Sequence, residues 1–383
     1  MVTAPTTPER LRELTDAVAA TAERYDRSAE FPWDGIRAVH ESGALVATVG
    51  RQYGGLQISA VDRARLLQAL GEGDPSVALI VANTLAAHAR QTESGDWPED
   101  LYRRVLGESA QRPVLINTVR AEPELGAPAR GGLPATTARR SGDGWVLAGR
   151  KSYATASEGL AYHLVWAKTD DEVPRVGHFI VPGDSQGIEI VATWDHLGLR
   201  SSSTHDVIYD AVELPGDHFI DSAYQGTYRD RAGTGGVAAL AGAAIYLGVA
   251  RAAQRFFLSF ANTRVPTALG APIATTPHIR SVAGRIEAEL IAAEELLYGL
   301  TARAERGDAD AVGRTPIAKV IITRAAVQAV ELAVASLGNP GLSRHNPLER
   351  HLRDVLCSRV HPPQEDTALL ALGTAVLDAA GRA

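Results

Sequence analysis

The sequence is poor in sulfur, with one cysteine and one methionine among 383 residues. Cys357 cannot form a disulfide within the chain, and a lone thiol excludes zinc sites built on several cysteines. No uninterrupted apolar run of about 18 residues occurs, and the N-terminus lacks a basic segment followed by an apolar one. The sequence therefore predicts neither a membrane span nor a secretory signal, and we expect a cytoplasmic protein.

Positive charge is also limited and is not clustered. The formal net charge is −7, and only three of the 38 basic residues are lysines, namely Lys151, Lys168 and Lys319. Nucleic-acid binding normally requires grouped cations, so this class of function is not expected. Anionic ligands would meet mostly guanidinium groups, which favour planar, two-pronged hydrogen bonding.

The common catalytic motifs are missing. There is no Gly-x-Ser-x-Gly elbow, no phosphate-binding Walker loop, and no histidine pair with metal-ligand spacing. Gly126, Gly131 and Gly132 do not form a dinucleotide fingerprint, because no βαβ unit surrounds them. We therefore predict no metal site, and composition and spacing alone indicate no reaction.

The pattern of apolar residues predicts three successive parts, as suits a chain of 383 residues. Helical periodicity predicts an N-terminal helical domain over residues 1–112. Short alternating segments with Gly and Pro breaks predict a central β-barrel over 113–222, including a hairpin at 141–144. Residues 223–383 read as a helical bundle around a long central helix at 237–262, followed by helices at 278–306, 316–337, 348–360 and 367–380. The predicted fold class is α+β, mainly α.

This order of parts, with Tyr53-Gly54-Gly55-Leu56 in the first, resembles the acyl-CoA dehydrogenase superfamily of flavoproteins. Five further blocks match in the right order. They lie at residues 121–126, 149–155, 197–215, 264–273 and 337–341, the last followed by Arg353-Asp354. Each block alone is weakly specific, but the ordered set covers nearly the whole chain.

The resemblance implies a flavin site assembled between subunits, and therefore a homotetramer. Tyr153 and Thr155 would approach the flavin ring. Arg264 would hold the pyrophosphate, although the chain is longer after it than is usual. The remaining expected contacts are Asn117, Thr118, Ala121, Gly126, Gly338 and Gly341, with Ala121 standing where the family has threonine. The expected cofactor is reduced FAD or FMN, with a slight preference for FAD.

One departure from the family pattern concerns the catalytic base. Acyl-CoA dehydrogenases need a carboxylate to remove an α-proton while hydride leaves for the flavin. The two known positions of that carboxylate fall near Pro362 and Ala238, and neither side chain accepts a proton. The segment 359–367 instead resembles the reduced-flavin monooxygenases, which include dibenzothiophene monooxygenase and the amino-sugar nitrososynthases. This resemblance implies a separate NAD(P)H-dependent flavin reductase and a flavin C4a-hydroperoxide that oxygenates a small organic substrate.

That chemistry suggests three catalytic candidates, His361, His88 and Ser157. Histidine suits proton transfer because its ordinary pKa lies near neutrality. Each candidate also has a structural alternative: a turn-fixing role for His361, helix packing for His88, and turn or cap chemistry for Ser157. Asn117 is expected to line the same pocket.

Two other functions stay open at this stage. If Glu365 points inward, it is a displaced base and the chain is an acyl-CoA dehydrogenase. If Glu365 instead lies at a solvated helix N-terminus, its charge suits the helix dipole. The chain would be a non-catalytic member of the superfamily if it had lost flavin binding.

Overall fold

The computed structural model describes residues 5–125, 133–224 and 237–381. Five α-helices form the first part: α1 (Pro8–Ser28), α2 (Trp33–Glu41), α3 (Ala60–Gly73), α4 (Pro75–Ser94) and α5 (Glu99–Ser109). Thr7, Ser59 and Asp74 accept backbone N–H bonds at the starts of α1, α3 and α4. These caps satisfy donors that have no partner inside the helix. Within the segment predicted to be helical, α5 was not anticipated as a separate element.

The second part is one eight-stranded sheet in the order β6-β7-β3-β2-β4-β5-β8, with β1 parallel to β4. Its large aromatic side chains Trp145, Phe179 and Tyr209 are buried. The predicted hairpin joins β2 to β3. The final strand, β8, was not predicted. The strands are β1 (Leu115–Val119), β2 (Thr137–Ser141), β3 (Gly144–Ala154), β4 (Leu160–Thr169), β5 (Arg175–Pro182), β6 (Ile188–Val191), β7 (His205–Leu214) and β8 (Phe219–Tyr224).

The third part is helical, which confirms the predicted fold class; the domain boundaries themselves stay a prediction. Its helices are α6 (Val237–Thr263), α7 (Pro277–Glu305), α8 (Ala309–Leu337), α9 (Asn339–Leu342), α10 (Leu348–Leu356) and α11 (Glu365–Ala380).

The start of α8 was predicted wrongly at Pro316. Asp308 caps the helix, and Pro316 lies inside it. Proline cannot donate to the carbonyl of Val312, but the Thr315 hydroxyl donates to that oxygen at 2.9 Å. The lost hydrogen bond is thus replaced locally, which is how the helix tolerates proline.

Helix α6 packs closely against α3 because glycines face the contact. A Cβ on Gly71 would lie 2.2 Å from the Ile245 carbonyl oxygen, and one on Gly248 would lie 2.1 Å from that of Gln68. Any larger residue would force the helices apart. The first and third parts therefore share one core, with α6 at its centre as predicted.

Two of the helices, α6 and α8, are long and apolar enough to cross a membrane by length and composition. Their best windows have mean hydropathies of 1.4 and 1.6, and 67% and 56% of those windows are buried inside the fold. The sequence expectation considered unbroken apolar runs alone and so missed both helices. Burial of this extent is typical of core helices.

All three parts meet at Arg353 on α10. Its guanidinium forms a two-pronged ion pair with Asp26 on α1, at 2.6 and 2.9 Å. It also donates to Glu349 at 2.8 Å and to the Leu197 carbonyl at 2.9 Å, in the loop before β7. The adjacent Asp354 accepts a hydrogen bond from the Leu199 amide at 2.8 Å. We call these contacts the Arg353 junction.

We expect Arg353→Met to lower the free energy of unfolding by about 3 kcal/mol, because two largely buried carboxylates lose their partner. Thermal and urea unfolding of the purified protein measure this loss. The matched control is Arg10→Met, which removes an exposed pair with Glu13 and should leave the midpoint nearly unchanged. Equal unfolding midpoints for the two variants would show that the Arg353 junction does not stabilise the fold more than an exposed ion pair does.

Candidate functional site

An aromatic surface lies at the rim of the barrel where β3 ends. Tyr153 has a φ of +55°, and its side chain is 65% exposed between the buried Ser152 and Ala154. Its ring meets that of His196 edge-on, with centroids 6.5 Å apart. The His196 ring stacks on Trp194 at 3.7 Å. We call Tyr153, Trp194 and His196 the rim platform.

The rim platform fits the flat ring of a flavin, because exposed aromatic faces stack favourably on planar groups. Backbone strain is concentrated here too: Tyr153, Ala156, Leu199 and Ser203 all have positive φ. Strained conformations of non-glycine residues cluster at functional sites. Trp194 and His196 were missed from the sequence. The signal available was their position immediately before the matching block at 197–204.

A network of small polar groups lies behind the rim platform. The Asn117 side-chain amide donates to the Thr155 carbonyl at 2.9 Å. The Thr155 hydroxyl accepts from Thr204 at 3.1 Å. Ser157 donates its hydroxyl proton to the Ser203 carbonyl at 2.7 Å. The fold thus brings the predicted residues Asn117, Thr155 and Ser157 together.

The hydroxyl of Ser157 is already engaged inside the protein, since Ser203 receives its proton. Ser157 also begins the short 3-10 turn Ser157–Gly159. This geometry favours the alternative of turn or cap chemistry for Ser157 over a hydrogen bond to a reacting group. Thr118, the residue after Asn117 on β1, is partly buried and pairs with Leu164 of β4.

The loop that follows β1 is anchored by a buried ion pair. Lys151 and Glu122 lie 2.7 Å apart, and both side chains are almost fully buried. Glu122 additionally accepts hydrogen bonds from the Ala135 amide and from the amide and hydroxyl of Thr136. Burial lowers the pKa of Lys151 to about 8, although Glu122 opposes that shift.

Ala121 lies beside this pair, and its carbonyl accepts from the Ser152 amide at 2.9 Å. The loop is thereby attached to the strand that carries Tyr153. The predicted contact Gly126 falls outside the described residues.

His361 lies in the segment between α10 and α11, near enough to His196 of the rim platform for their charges to interact. Its Nδ1 is 2.6 Å from the Tyr246 hydroxyl of α6. The Lys319 ammonium of α8 donates to the carbonyl oxygens of Ser358 and His361, each at 2.8 Å. Burial, followed by the charges of Lys319 and His196, lowers the pKa of His361 to about 4. The pKa of His361 thus lies below the ordinary histidine value that suggested it for proton transfer.

His88 is fully buried in a separate aromatic cluster. Its Nδ1 lies 2.9 Å from the Tyr102 hydroxyl, and the Tyr102 ring packs edge-on against Tyr53 and Trp97. Burial lowers the pKa of His88 to about 4. The environment favours the helix-packing alternative. One turn earlier on α4, Thr84 accepts from the Ile116 amide of β1, so His88 lies on the side of the barrel that carries Asn117.

The remaining candidates belong to the helical third part of the chain. Arg264 is exposed after α6. Gly338 ends α8 at a φ of +64°, and a Cβ on Gly341 would lie 2.4 Å from the Val334 carbonyl oxygen. The fold itself therefore favours glycine at both positions. Glu365 is half-exposed and forms an ion pair with Arg324 at 2.6 Å, which favours the solvated helix terminus. Among the described residues, no cluster of three metal-ligating side chains occurs.

We expect Glu122→Gln to destabilise the protein by about 3–5 kcal/mol, because it leaves the Lys151 charge buried without a counter-ion. Lys151→Met should cost less, since Glu122 keeps its three bonds from Ala135 and Thr136. The deficit of Glu122→Gln relative to wild type should grow as the pH falls through about 8, because the folded wild type then regains the Lys151 proton beside Glu122, whereas the folded variant regains it only at a lower pH. Urea unfolding on both sides of pH about 8 measures both effects. A larger loss of stability in Lys151→Met than in Glu122→Gln would contradict the conclusion that Glu122 balances the buried charge of Lys151.

Three family models match the chain in order. They are "Acyl-CoA dehydrogenase, N-terminal domain" at residues 8–94, "middle domain" at 118–212 and "C-terminal domain" at 240–363. A putative acyl-CoA dehydrogenase of Bacillus subtilis, YdbM, is 32% identical, with 94% of each chain covered. The amino sugar nitrososynthase RubN8 of Streptomyces rubradiris is 29% identical, covering 95% of this chain and 88% of its own.

A solved structure extends this similarity. KijD3 in complex with FMN and an amino-sugar nucleotide has a TM-score of 0.81 and 25% identity, with 98% of this chain and 96% of KijD3 covered. The resemblance drawn from the sequence blocks is confirmed. Relatives named as dehydrogenases and relatives named as nitrososynthases are both present, so names alone do not decide the reaction.

Proposed function

Since the chain belongs to the acyl-CoA dehydrogenase family, we propose that it is a flavin-dependent monooxygenase. It would take reduced flavin from a separate NAD(P)H-dependent reductase and use O2 to oxygenate a small organic substrate. The observation that carries the proposal is the neutral imidazole of His361. It lies next to the chain position where dehydrogenases of the family usually have a glutamate. A neutral imidazole with a pKa of about 4 is a poor base for an α-proton.

Within this proposal, the chain's own residues bind and orient the reactants. Tyr153 and the rest of the rim platform would contact the flavin ring, and the loop fixed by Glu122 and Lys151 would border it. Arg264 would reach the phosphate of a flavin in a neighbouring subunit. When bound, a reduced flavin supplies the electron pair that activates O2. The Asn117–Thr155–Thr204 network would keep the strand end rigid beneath the ring.

The nature of the flavin and the assembly are parts of the same proposal. FMN in the KijD3 complex supports testing FMN beside the FAD that the sequence favoured. Exposed leucines on α11, such as Leu370 and Leu377 at 74% and 73% exposure, support burial in a homotetramer. We propose a cytoplasmic location for the enzyme.

The test mixes the purified protein anaerobically with reduced FMN or FAD and then with O2, in stopped flow. We expect oxidised-flavin absorbance to return more slowly than with free flavin, because the site shields the reacting flavin from water. Isotopically labelled O2 should appear in the product of an accepted substrate, with amino-sugar nucleotides and aromatic thioethers as the first panel.

The Tyr153→Ala variant should weaken flavin binding by about 1 kcal/mol through lost stacking. Return of oxidised flavin at the rate of free flavin, with peroxide alone as product, would count against the monooxygenase. Failure to bind either redox state would favour the non-catalytic alternative.

The second candidate is an acyl-CoA dehydrogenase, which the identity to YdbM supports. It requires a carboxylate base, and Glu365 was the sequence candidate. Because Glu365 is turned toward Arg324 and solvent, we expect no bleaching of protein-bound oxidised flavin by acyl-CoA in anaerobic solution, with wild type or with Glu365→Gln. The matched control is Glu13→Gln, another exposed acid paired with an arginine. Bleaching by wild type that only Glu365→Gln abolishes would reinstate the dehydrogenase.

A further inference from the structure

Two buried side chains from different helices hold His361. Tyr246 on α6 is 1% exposed and Lys319 on α8 is 3% exposed. Tyr246 contacts the imidazole ring, whereas Lys319 binds the backbone of the segment that carries it. His361 is thus fixed both at its side chain and at its main chain.

The role of Lys319 follows from its partners. Its ammonium donates to the carbonyl oxygen of Ser358, in the 3-10 turn Cys357–Arg359, and to the carbonyl oxygen of His361. No carboxylate in the described residues lies within ion-pair distance of this ammonium. Glu365 acts on this ammonium only at longer range, where its charge raises the pKa of Lys319 against the lowering by burial. Positive charge at the end of a helical turn stabilises the carbonyls there. The same charge opposes protonation of the neighbouring imidazole.

The Tyr246 hydroxyl determines where the imidazole keeps its proton. Burial raises the pKa of Tyr246 well above its ordinary value, so the hydroxyl retains its proton at neutral pH. Among the described residues, the imidazole Nδ1 of His361 is the hydrogen-bond partner of that hydroxyl. If Nδ1 carried a proton, the tyrosine proton would be buried without an acceptor, which is costly. Tyr246 therefore donates to Nδ1, and the imidazole proton lies on Nε2.

The charged and titratable groups around the ring agree with a neutral imidazole. Lys319 approaches from α8, Tyr246 from α6 and His196 from the loop before β7, and none of them supplies a negative charge at neutral pH. Glu365, four residues along the chain, forms its ion pair with Arg324 instead. Within the described part of the chain, no acidic group forms an ion pair with His361.

We propose that Tyr246 and Lys319 are positioning residues that hold His361 as a neutral imidazole with its proton on Nε2. His361 then offers a hydrogen bond from Nε2 and does not act as an imidazolium acid. The tautomer and the charge of His361 do not depend on the proposed function. The inference rests on that function only for the identity of the group that accepts the hydrogen bond from Nε2.

Solid-state nitrogen-15 NMR on sedimented, histidine-labelled protein without flavin tests the proposal, because the shifts of the two ring nitrogens report tautomer and charge separately. His361→Asn identifies the signal. In wild type we expect the Nε2–H tautomer throughout pH ~5 to ~8, with no titration near the ordinary value of about 6.5. A signal that titrates near 6.5, or one with its proton on Nδ1, would overturn the proposal, and this measurement needs no core variant to fold.

The variants then separate the two roles. Tyr246→Phe should give a mixture of tautomers, and Lys319→Met should raise the His361 pKa by about one unit toward its ordinary value. The controls are Tyr298→Phe on α7, whose hydroxyl donates to Gln68 of α3, and Lys168→Met on β4. Neither control should move the His361 signal. An unchanged signal in folded Tyr246→Phe and Lys319→Met would also overturn the proposal.

Activity is measured separately. With reduced flavin and O2, we expect Tyr246→Phe to release several-fold more peroxide per turnover than wild type. If the NMR result holds but wild type shows no oxygenation of any substrate, the positioning of His361 stands and the proposed function fails.

Discussion

The Arg353 junction is the interaction on which the geometry of the site depends. In the rim platform, Tyr153 lies at the end of β3, and Trp194 and His196 lie in the loop between β6 and β7. His361 lies in the helical third part, between α10 and α11. The loop that carries Trp194 and His196 continues into Leu197 and Leu199, which are bonded to Arg353 and Asp354. Asp26 attaches the first helix at the same point. A cluster of ionic hydrogen bonds at one residue thus sets how the three parts are arranged around the site.

The buried charged side chains Lys151 and Lys319 each hold a neighbouring loop in position. Lys151 holds Glu122 below the loop after β1, and Lys319 holds the carbonyls that precede Pro362. In a poorly solvated interior such contacts are strong, but an unpaired partner is costly. Both lysines therefore make their neighbouring loops intolerant of displacement. If both loops border the flavin as proposed, this rigidity would also fix the position of the residues around the flavin ring.

Local patterns in the sequence predicted most of the fold. Helix periods, caps and Gly-Pro breaks depend on neighbouring residues, so α1 to α4, the hairpin and α6 were anticipated. The start of α8 was not, because Pro316 is normally a boundary and its compensation by Thr315 is visible only in three dimensions. Blocks of resemblance led to Tyr153, Asn117 and Thr155, which the fold brings to one edge, and their contact with flavin stays a prediction.

The chemical state of the site could not be predicted in the same way. His361 was selected from its position, but its low pKa depends on burial and on the charges of Lys319 and His196, which are distant in the chain. The engagement of Ser157 by Ser203 and the exposure of Glu365 are likewise products of tertiary packing. Residue type gives the available chemistry, whereas the surroundings select the protonation state.

The use of lysine has a practical consequence. Of the three lysines, Lys151 and Lys319 are buried with their ammonium groups engaged, and Lys168 on β4 is partly exposed. Reagents that acylate side-chain amines therefore meet one accessible target in the folded protein. A fluorophore or cross-linker attached to a lysine in this way would mark the barrel at a single known side chain.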